Sequence, residues 1–413
     1  MTISLPVRRA EGVASRRFFE LALLDNRYPA LHGMRVLAIA SFVQHELTIF
    51  LAPHADIPVG VRWAEGWLTA MFGMDLFFIL SGFLIGSQLL RAIESSGSQR
   101  VRAFYLRRAL RTIPLYYALL TLFALATHLT AAQRRHLWLE YALLSNYRFP
   151  FASGDLVMPW GWSLALVEHF YLTVPLIFFL LWKLKSDRAR LSALCVAWGS
   201  ALVVRLALLL RHPNWSERQL YDYVYCRTHA RFDTFLAGIA VAYVHHRWHE
   251  PIARWLHDPR ARAALAMPSL ACLWLLVHPW MFGWGGVRLM DVFAWGTLTS
   301  IMYAGFILLV LNDSGGWIRD GLSAPIFRVL ASVGYGVYLT YLPLCERIIV
   351  PVSRSLLKSW HWPSALVWPL ALGSLLFAAL CIAYVLHMLI ERPCSRLSAS
   401  PYSKSGTGST SSA

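Results

Sequence analysis

The sequence predicts an all-α polytopic membrane protein, with about ten transmembrane helices and both termini cytoplasmic. Composition is the first reason: 57% of the 413 residues are hydrophobic and only 15% are charged, against about 25% charged in an ordinary soluble domain. Mean hydropathy, at +0.49, is the second. A soluble core of this size cannot hide that much apolar surface, and the same numbers exclude disorder over nearly the whole chain. The third is that the apolar residues gather in runs close to the roughly 20 residues that a spanning helix needs.

The runs lie at about 34–53, 66–90, 112–130, 161–182, 191–210, 232–246, 264–283, 287–311, 328–349 and 364–390. The second carries Asp75 and the sixth is short, so these two are the weakest. With the amino terminus inside, 24 Lys and Arg residues fall on the cytoplasmic side and 11 on the other, and three more lie in or at the edges of the runs. That asymmetry supports an even number of helices with both termini inside. It also accounts for the net charge of +16 through basic loops and anionic lipid heads, so no nucleic-acid partner is expected.

Residues 1–33 are polar, with Arg8, Arg9, Arg16 and Arg17, and read as a cytoplasmic segment, not a cleavable signal. Residues 34–393 form the transmembrane domain, and 394–413, rich in Ser, Gly and Thr, read as a disordered tail. The longest external loop, about 131–160, has room for a short surface helix. The six cysteines form no close pair, so neither a zinc site nor a disulfide framework is expected, and no metal is assigned.

Ionisable residues inside spanning helices are expensive and are functional candidates by default. In the first run Arg35 opens MRVLAIASFVQHELTIF at the cytoplasmic edge. His45 stands ten positions later, about 15 Å deeper, with Glu46 next to it. HELTI is not HExxH, so zinc is again not indicated. The second run, GMDLFFILSGFLIG, brings Asp75 in from the outer side to a similar depth, where pairing with His45 would offset its burial. Its Gly82 and Gly86 read as close-packing positions. FYLRRALRTIPLYY places Arg107, Arg108 and Arg111 within about one turn, as topology signals or as a phosphate cradle. GWSLALVEHFYLTVP puts Glu168 and His169 about two turns inside the fourth run. THARFDTFLAG puts Arg231 and Asp233 at the outer rim, where an Arg–Asp pair reads first as a structural clamp.

Taken together, these segments resemble the acyltransferase 3 family of integral-membrane enzymes that O-acylate bacterial envelope sugars. GMDLFFILSGFLIG, RRALRTIPLYY, GWSLALVEHFYL, THARFDTFLAG and SVGYGVYLTYLP resemble family blocks in order, over about residues 31–393. Three spacings differ. Nine residues separate Arg35 from His45 where the family usually has ten; either a local bulge restores the alignment or the two act from different faces. Glu168 stands one place late, so Val167 occupies the usual glutamate position, and Tyr341 and Pro343 stand where many members have His and Pro.

The resemblance implies a multi-pass protein of the bacterial inner membrane, in contact with membrane lipid. It would move an acyl group, acetyl by bias, from acyl-CoA to a hydroxyl of an envelope or exported glycan. His45 is then the expected general base, with Asp75 or Glu168 orienting it. Arg35, Arg108 and Arg111 would hold the phosphates of acetyl-CoA. Trp160, Trp162, Arg231 and Asp233 are acceptor-binding candidates, the tryptophans either by stacking on sugar or as an interfacial belt. Direct transfer and an acyl-histidine intermediate both fit. Two other classes stand beside this reading: a glycan or lipid transporter, which also buries charge among helices but usually shows matching halves, and a non-catalytic protein of the same fold.

Overall fold

A computed structural model describes residues 21, 23–54, 58–95, 99–148, 154–278, 292–312 and 316–399. Among these the regular structure is all helical, with no strand. Helix α1 (Pro29–Leu51) starts on a proline, whose missing N–H costs nothing in a first turn. The expected second span is instead two helices, α2 (Val59–Phe72) and α3 (Met74–Ser95), separated by an extended Gly73. The break puts Asp75 in the first turn of α3, where the helix dipole favours a carboxylate.

Helix α4 (Gln99–Ala126) runs unbroken through Pro114. The surface helix expected in the long loop is α5 (Ala131–Tyr141), opened by a reciprocal capping box between Thr130 and Gln133. Helices α6 (Trp162–Trp182) and α7 (Asp187–Arg211) follow, α7 capped by the Ser186 hydroxyl. Next come α8 (Asp233–Trp255), α9 (Pro259–Val277) and α10 (Thr299–Asn312). The last four are α11 (Pro325–Leu344), α12 (Val350–Lys358), α13 (Ser364–Leu386) and α14 (Arg392–Ala399).

Three expectations change. The start of the eighth run, 287–291, lies outside the described residues. The segment 394–399, expected in the tail, belongs to α14, and the rest of that tail again lies outside them. Helix α1 begins at Pro29, inside the expected 1–33 segment, of which 1–20 and 22 also lie outside.

Eight helical segments among the described residues are long and apolar enough to cross a membrane: 29–54, 74–93, 103–126, 159–182, 187–211, 259–277, 294–312 and 364–397. The other two expected spans are present as α8 and α11, but are less apolar. Their position explains this. A helix enclosed by other helices need not match lipid all round, whereas a peripheral one must. α8 buries nearly every residue from Asp233 to Tyr243, and α11 most of those from Ala331 to Leu342. The most apolar windows, in α7 and α13, are only 17% and 28% buried. Their exposed Val196, Val203, Leu210, Leu370 and Phe377, with Leu176 and Phe179 of α6, form an outward apolar face.

The tightest contact joins α3 to α8. A Cβ on Gly82 would collide with the backbone of Phe235, and one on Gly238 with the backbone of α3 at Ile79 and Phe83. The small residues let the two backbones touch, as the sequence suggested for Gly82. Backbone cannot move aside as a side-chain tip can. Gly82→Val is therefore expected to cost about 1–3 kcal/mol or more, read as a lowered unfolding midpoint in detergent; an unchanged midpoint would show that the contact is loose.

Candidate active site

Two apolar clusters meet along the bundle. One gathers α3, α6, α8 and α10 around Phe78, Phe170 and Phe235; the other gathers α1, α4, α11 and α13 around Leu47, Leu120 and Leu375. A cavity opens between them. Helix α1 contributes Arg35, Ala38, Ile39 and Phe42, which follow the i, i+3, i+4, i+7 spacing of one helix face. α3 contributes Met74, Phe77 and Ser81, and α4 contributes Arg108, Arg111 and Thr112. α6 adds Ser163, Leu164, Val167 and Tyr171, and α11 adds Ala331, Gly334, Tyr335 and Tyr338.

The cavity continues into a more polar cleft. The two share Arg35, Ser81, Arg108, Arg111 and Tyr171. His32, Gln88 and Arg91 line the cleft beyond them. The three arginines named from sequence thus converge, from two helices, on the neck between a polar mouth and an apolar chamber. Arg108 is held from both sides: it donates to Gln88 Oε1 at 2.6 Å, and its guanidinium lies over the rings of Phe104 and Tyr171, 5.9 and 5.5 Å from their centroids. The Arg35 Nε is buried with no hydrogen-bond partner among the described residues. Arg107 is exposed and turned away.

The far end is closed by a hydroxyl relay. The Ser163 hydroxyl and the Tyr338 hydroxyl are 2.6 Å apart, and Tyr338 also donates to the Trp160 carbonyl. Tyr335 donates to the Thr112 carbonyl at 2.9 Å. Sequence reasoning named none of these hydroxyl groups except as parts of blocks. Only their position on cavity-facing helix sides, which needs the tertiary arrangement, singles them out.

The expected carboxylates stand elsewhere. Val167 faces the cavity, and Glu168, one residue on and so about 100° round the helix, accepts from Thr112 Oγ1 at 2.6 Å just behind the wall. Asp75 does not pair with His45. Its oxygens take Arg231 and, at 2.8 Å, the Thr299 hydroxyl. Arg231 and Asp233 do not pair with each other either: Asp233 takes Arg205 Nη1 at 2.7 Å. Arg205 further donates to the carbonyls of Ala230 and Val292 at 2.6 and 3.0 Å and to Thr297 Oγ1 at 2.6 Å. Gly296, at φ 99°, has no room for a Cβ against the Asp233 carboxylate.

This network, buried throughout, ties α3, α7, α8 and the approach to α10. It is the clamp reading, with different partners, and neither Arg231 nor Asp233 lines the cavity. His169 bonds the Thr228 hydroxyl at 2.7 Å, holding the short helix Thr228–Arg231 that carries Arg231. Trp160 and Trp162 are 5% and 1% exposed. The turn Pro159–Gly161 folds them inward, and Trp162 packs on Phe78, Tyr221 and Tyr225. Neither ring has the open face that sugar stacking or an interfacial belt requires.

Helix α1 carries no bulge. It is regular α-helix from Pro29 to Leu51, so of the two alternatives the bulge is absent and Arg35 and His45 stand on different faces. At 100° per residue His45 lies about 70° from the centre of the cavity face. It follows Ser41 by one turn, and the Ser41 hydroxyl donates to Leu68 of α2 at 2.9 Å.

One buried carboxylate was missed altogether. Glu140 of α5 accepts the N–H groups of Val157 and Met158 at 2.9 and 2.7 Å, anchoring the strap that leads to Trp160 and Ser163. In sequence it looks like any surface-helix glutamate. Burial pushes its carboxyl up to about 7, against the pull of the two amides. A raised acid holds its proton more firmly in the folded state. Its contribution is therefore fully present below about 4.5 and is lost as pH rises through about 7. Glu140→Gln is expected to remove that part of the pH dependence of the unfolding midpoint, and to lower the midpoint at acidic pH. Parallel wild-type and variant curves between pH 5 and 8 would rule it out.

No solved structure matches the chain. A Staphylococcus aureus (strain COL) protein named "Putative O-acetyltransferase" is 25% identical over 326 residues, covering 75% of this chain and 49% of that protein. The Peptidoglycan O-acetyltransferase OatA of Listeria monocytogenes is 25% identical over 341 residues, covering 76% and 49%. This chain therefore spans about half the length of the curated relatives it matches. The sequence profile of a family described as an acyltransferase domain matches residues 28–388, which takes in α1, all five cavity-lining helices and the arginine neck, and so the chain belongs to the acyltransferase 3 family.

Proposed function

We propose that this chain is a multi-pass enzyme of the bacterial inner membrane, with ten spanning helices and cytoplasmic termini. It transfers an acyl group, acetyl by preference, from acyl-CoA to a hydroxyl of an envelope glycan such as peptidoglycan. One observation carries the reading: Arg35, Arg108 and Arg111 ring the neck between a polar cleft and an apolar chamber. Guanidinium forks suit phosphate oxygens, and the orphaned Nε of Arg35 is a donor awaiting an acceptor. The chamber beyond has the apolar lining that a pantetheine arm and thioester would take. The basic mouth is the cytoplasmic end, because α1 and α4 begin there and the inside-positive count puts their first residues inside.

The names of the relatives favour acetyl transfer to peptidoglycan. The test uses membranes containing the chain and acetyl-CoA labelled on the acetyl group. Thiol release together with label in the extracted glycan fraction is the expected result. Movement of glycan or lipid across vesicles without thiol release would replace it with the transport reading, and neither with a non-catalytic role.

A further inference from the structure

The first turns of α1 lead from the polar cleft to the neck. His32 and Arg35, three positions apart and so about 60° round the helix, both line the cleft. Only Arg35 also lines the chamber, which leaves His32 one turn outside the neck, about 4.5 Å along the helix axis. His32 is only 5% exposed. One of its ring nitrogens is engaged, since Nε2 lies 3.1 Å from the Asp25 carbonyl oxygen. The other, Nδ1, is buried with no hydrogen-bond partner among the described residues.

A carbonyl only accepts, so Nε2 carries the ring hydrogen and Nδ1 keeps its lone pair. The guanidinium groups of Arg35 and Arg328 stand within electrostatic reach, and a second proton on the ring would set like charges side by side. His32 therefore presents a buried acceptor to the cleft. Such an acceptor is costly unless a donor meets it. Phosphate oxygens cannot, because they too accept, and the cleft already offers them Arg27 and Arg91 beside the three arginines of the neck. Among the residues lining the cleft the one carboxylate is that of Asp25, an exposed residue.

We infer that His32 reads the nucleoside of the acyl donor, its Nδ1 accepting a hydrogen bond from the exocyclic amine of adenine; this rests on the acyl-CoA reading above. With the phosphates at the neck and the thioester arm in the chamber, the nucleoside is the part of the donor left in the cleft. Its ribose hydroxyls can turn to accept from an arginine, and its 3′-phosphate and ring nitrogens accept as they stand. The amine alone has hydrogens to give and no lone pair to offer. Among guanidinium donors it needs a buried acceptor, and His32 supplies one. A histidine kept only to hold the chain at Asp25 would need its Nε2 and nothing more, so the free Nδ1 facing the cleft is the feature that a structural role leaves without a reason.

The test measures equilibrium binding of radiolabelled CoA to the full chain, in competition with 1,N6-etheno-CoA, whose fused ring removes both hydrogens of the amine. The wild type is expected to bind CoA about tenfold more tightly than etheno-CoA. His32→Phe, which keeps a flat ring but no nitrogen, should bind the two alike, at the level of the wild type with etheno-CoA. Etheno-CoA binding retained by the variant verifies its fold. His32→Gln, which has a carbonyl oxygen to accept with, should recover part of the preference. A wild type without preference overturns the inference and leaves the acyl-CoA reading standing, and this comparison needs no variant to fold. So does His32→Phe if it still prefers CoA tenfold, or if it weakens both ligands equally, the mark of a residue that only holds the segment at Asp25. A wild-type chain that binds neither ligand overturns the acyl-CoA reading itself, and the inference with it.

Discussion

Arg205→Met is expected to be the most damaging single substitution in the protein. The methionine fills the volume but strips Asp233 of its guanidinium, and leaves the carbonyls of Ala230 and Val292 and the Thr297 hydroxyl without their donor. Removing one member of a buried pair typically costs 3–5 kcal/mol, a large part of what holds a domain together. Little monodisperse protein should be recovered from detergent, and its unfolding midpoint should fall steeply. Arg205→Met combined with Asp233→Asn should recover part of the loss, because the uncompensated charge is gone. The same measurement separates two roles for Asp75. As a member of the clamp, Asp75→Asn lowers the midpoint together with turnover. A variant that melts like wild type but turns over no substrate would return Asp75 to the chemistry.

The helices were legible and their partners were not. Each predicted run contains a helix wherever it is described, because hydropathy reports what a helix must face, and lipid imposes that all round. For the same reason hydropathy ranks the peripheral α7 and α13 highest and misses that α8 and α11 are central. The Gly73 break was hidden inside an apolar run, since extended backbone at one residue leaves no trace in composition. At the site, Arg35, Arg108 and Arg111 were legible as a group because the bundle turns α1 and α4 towards one cavity with their basic segments at the same end. Asp75 was mispaired because depth along a helix says nothing about which neighbour lies across from it. Arg205, 130 residues further along, was passed over as a span-edge cation. Trp160 and Trp162 read as surface aromatics because a short turn that folds them inward has no signature beyond Pro159.

The arginine neck should behave in the opposite way to the clamp. Arg35, Arg108 and Arg111 stand within electrostatic reach of one another, so each repels the other two until an anion arrives. Among the described residues, only Arg108 of the three has a polar hydrogen-bond partner, Gln88. Arg111→Ala and Arg35→Ala therefore remove repulsion from the ligand-free protein, whose unfolding midpoint should hold or rise. Donor binding should fall by about tenfold or more for each, since a charge-assisted hydrogen bond is worth about 1.5–3 kcal/mol. The stabilisation conferred by CoA follows its occupancy. At one fixed CoA concentration the wild type should gain several degrees and the variants little or nothing. The loss should shrink as salt is raised, because screening weakens the wild-type contact most. A group kept for binding can be recognised by that exchange, in which its removal costs the complex and not the fold. If both variants lost apo stability and bound CoA as before, the three arginines would be holding helices together, and the polar mouth would have to be read without a phosphate in it.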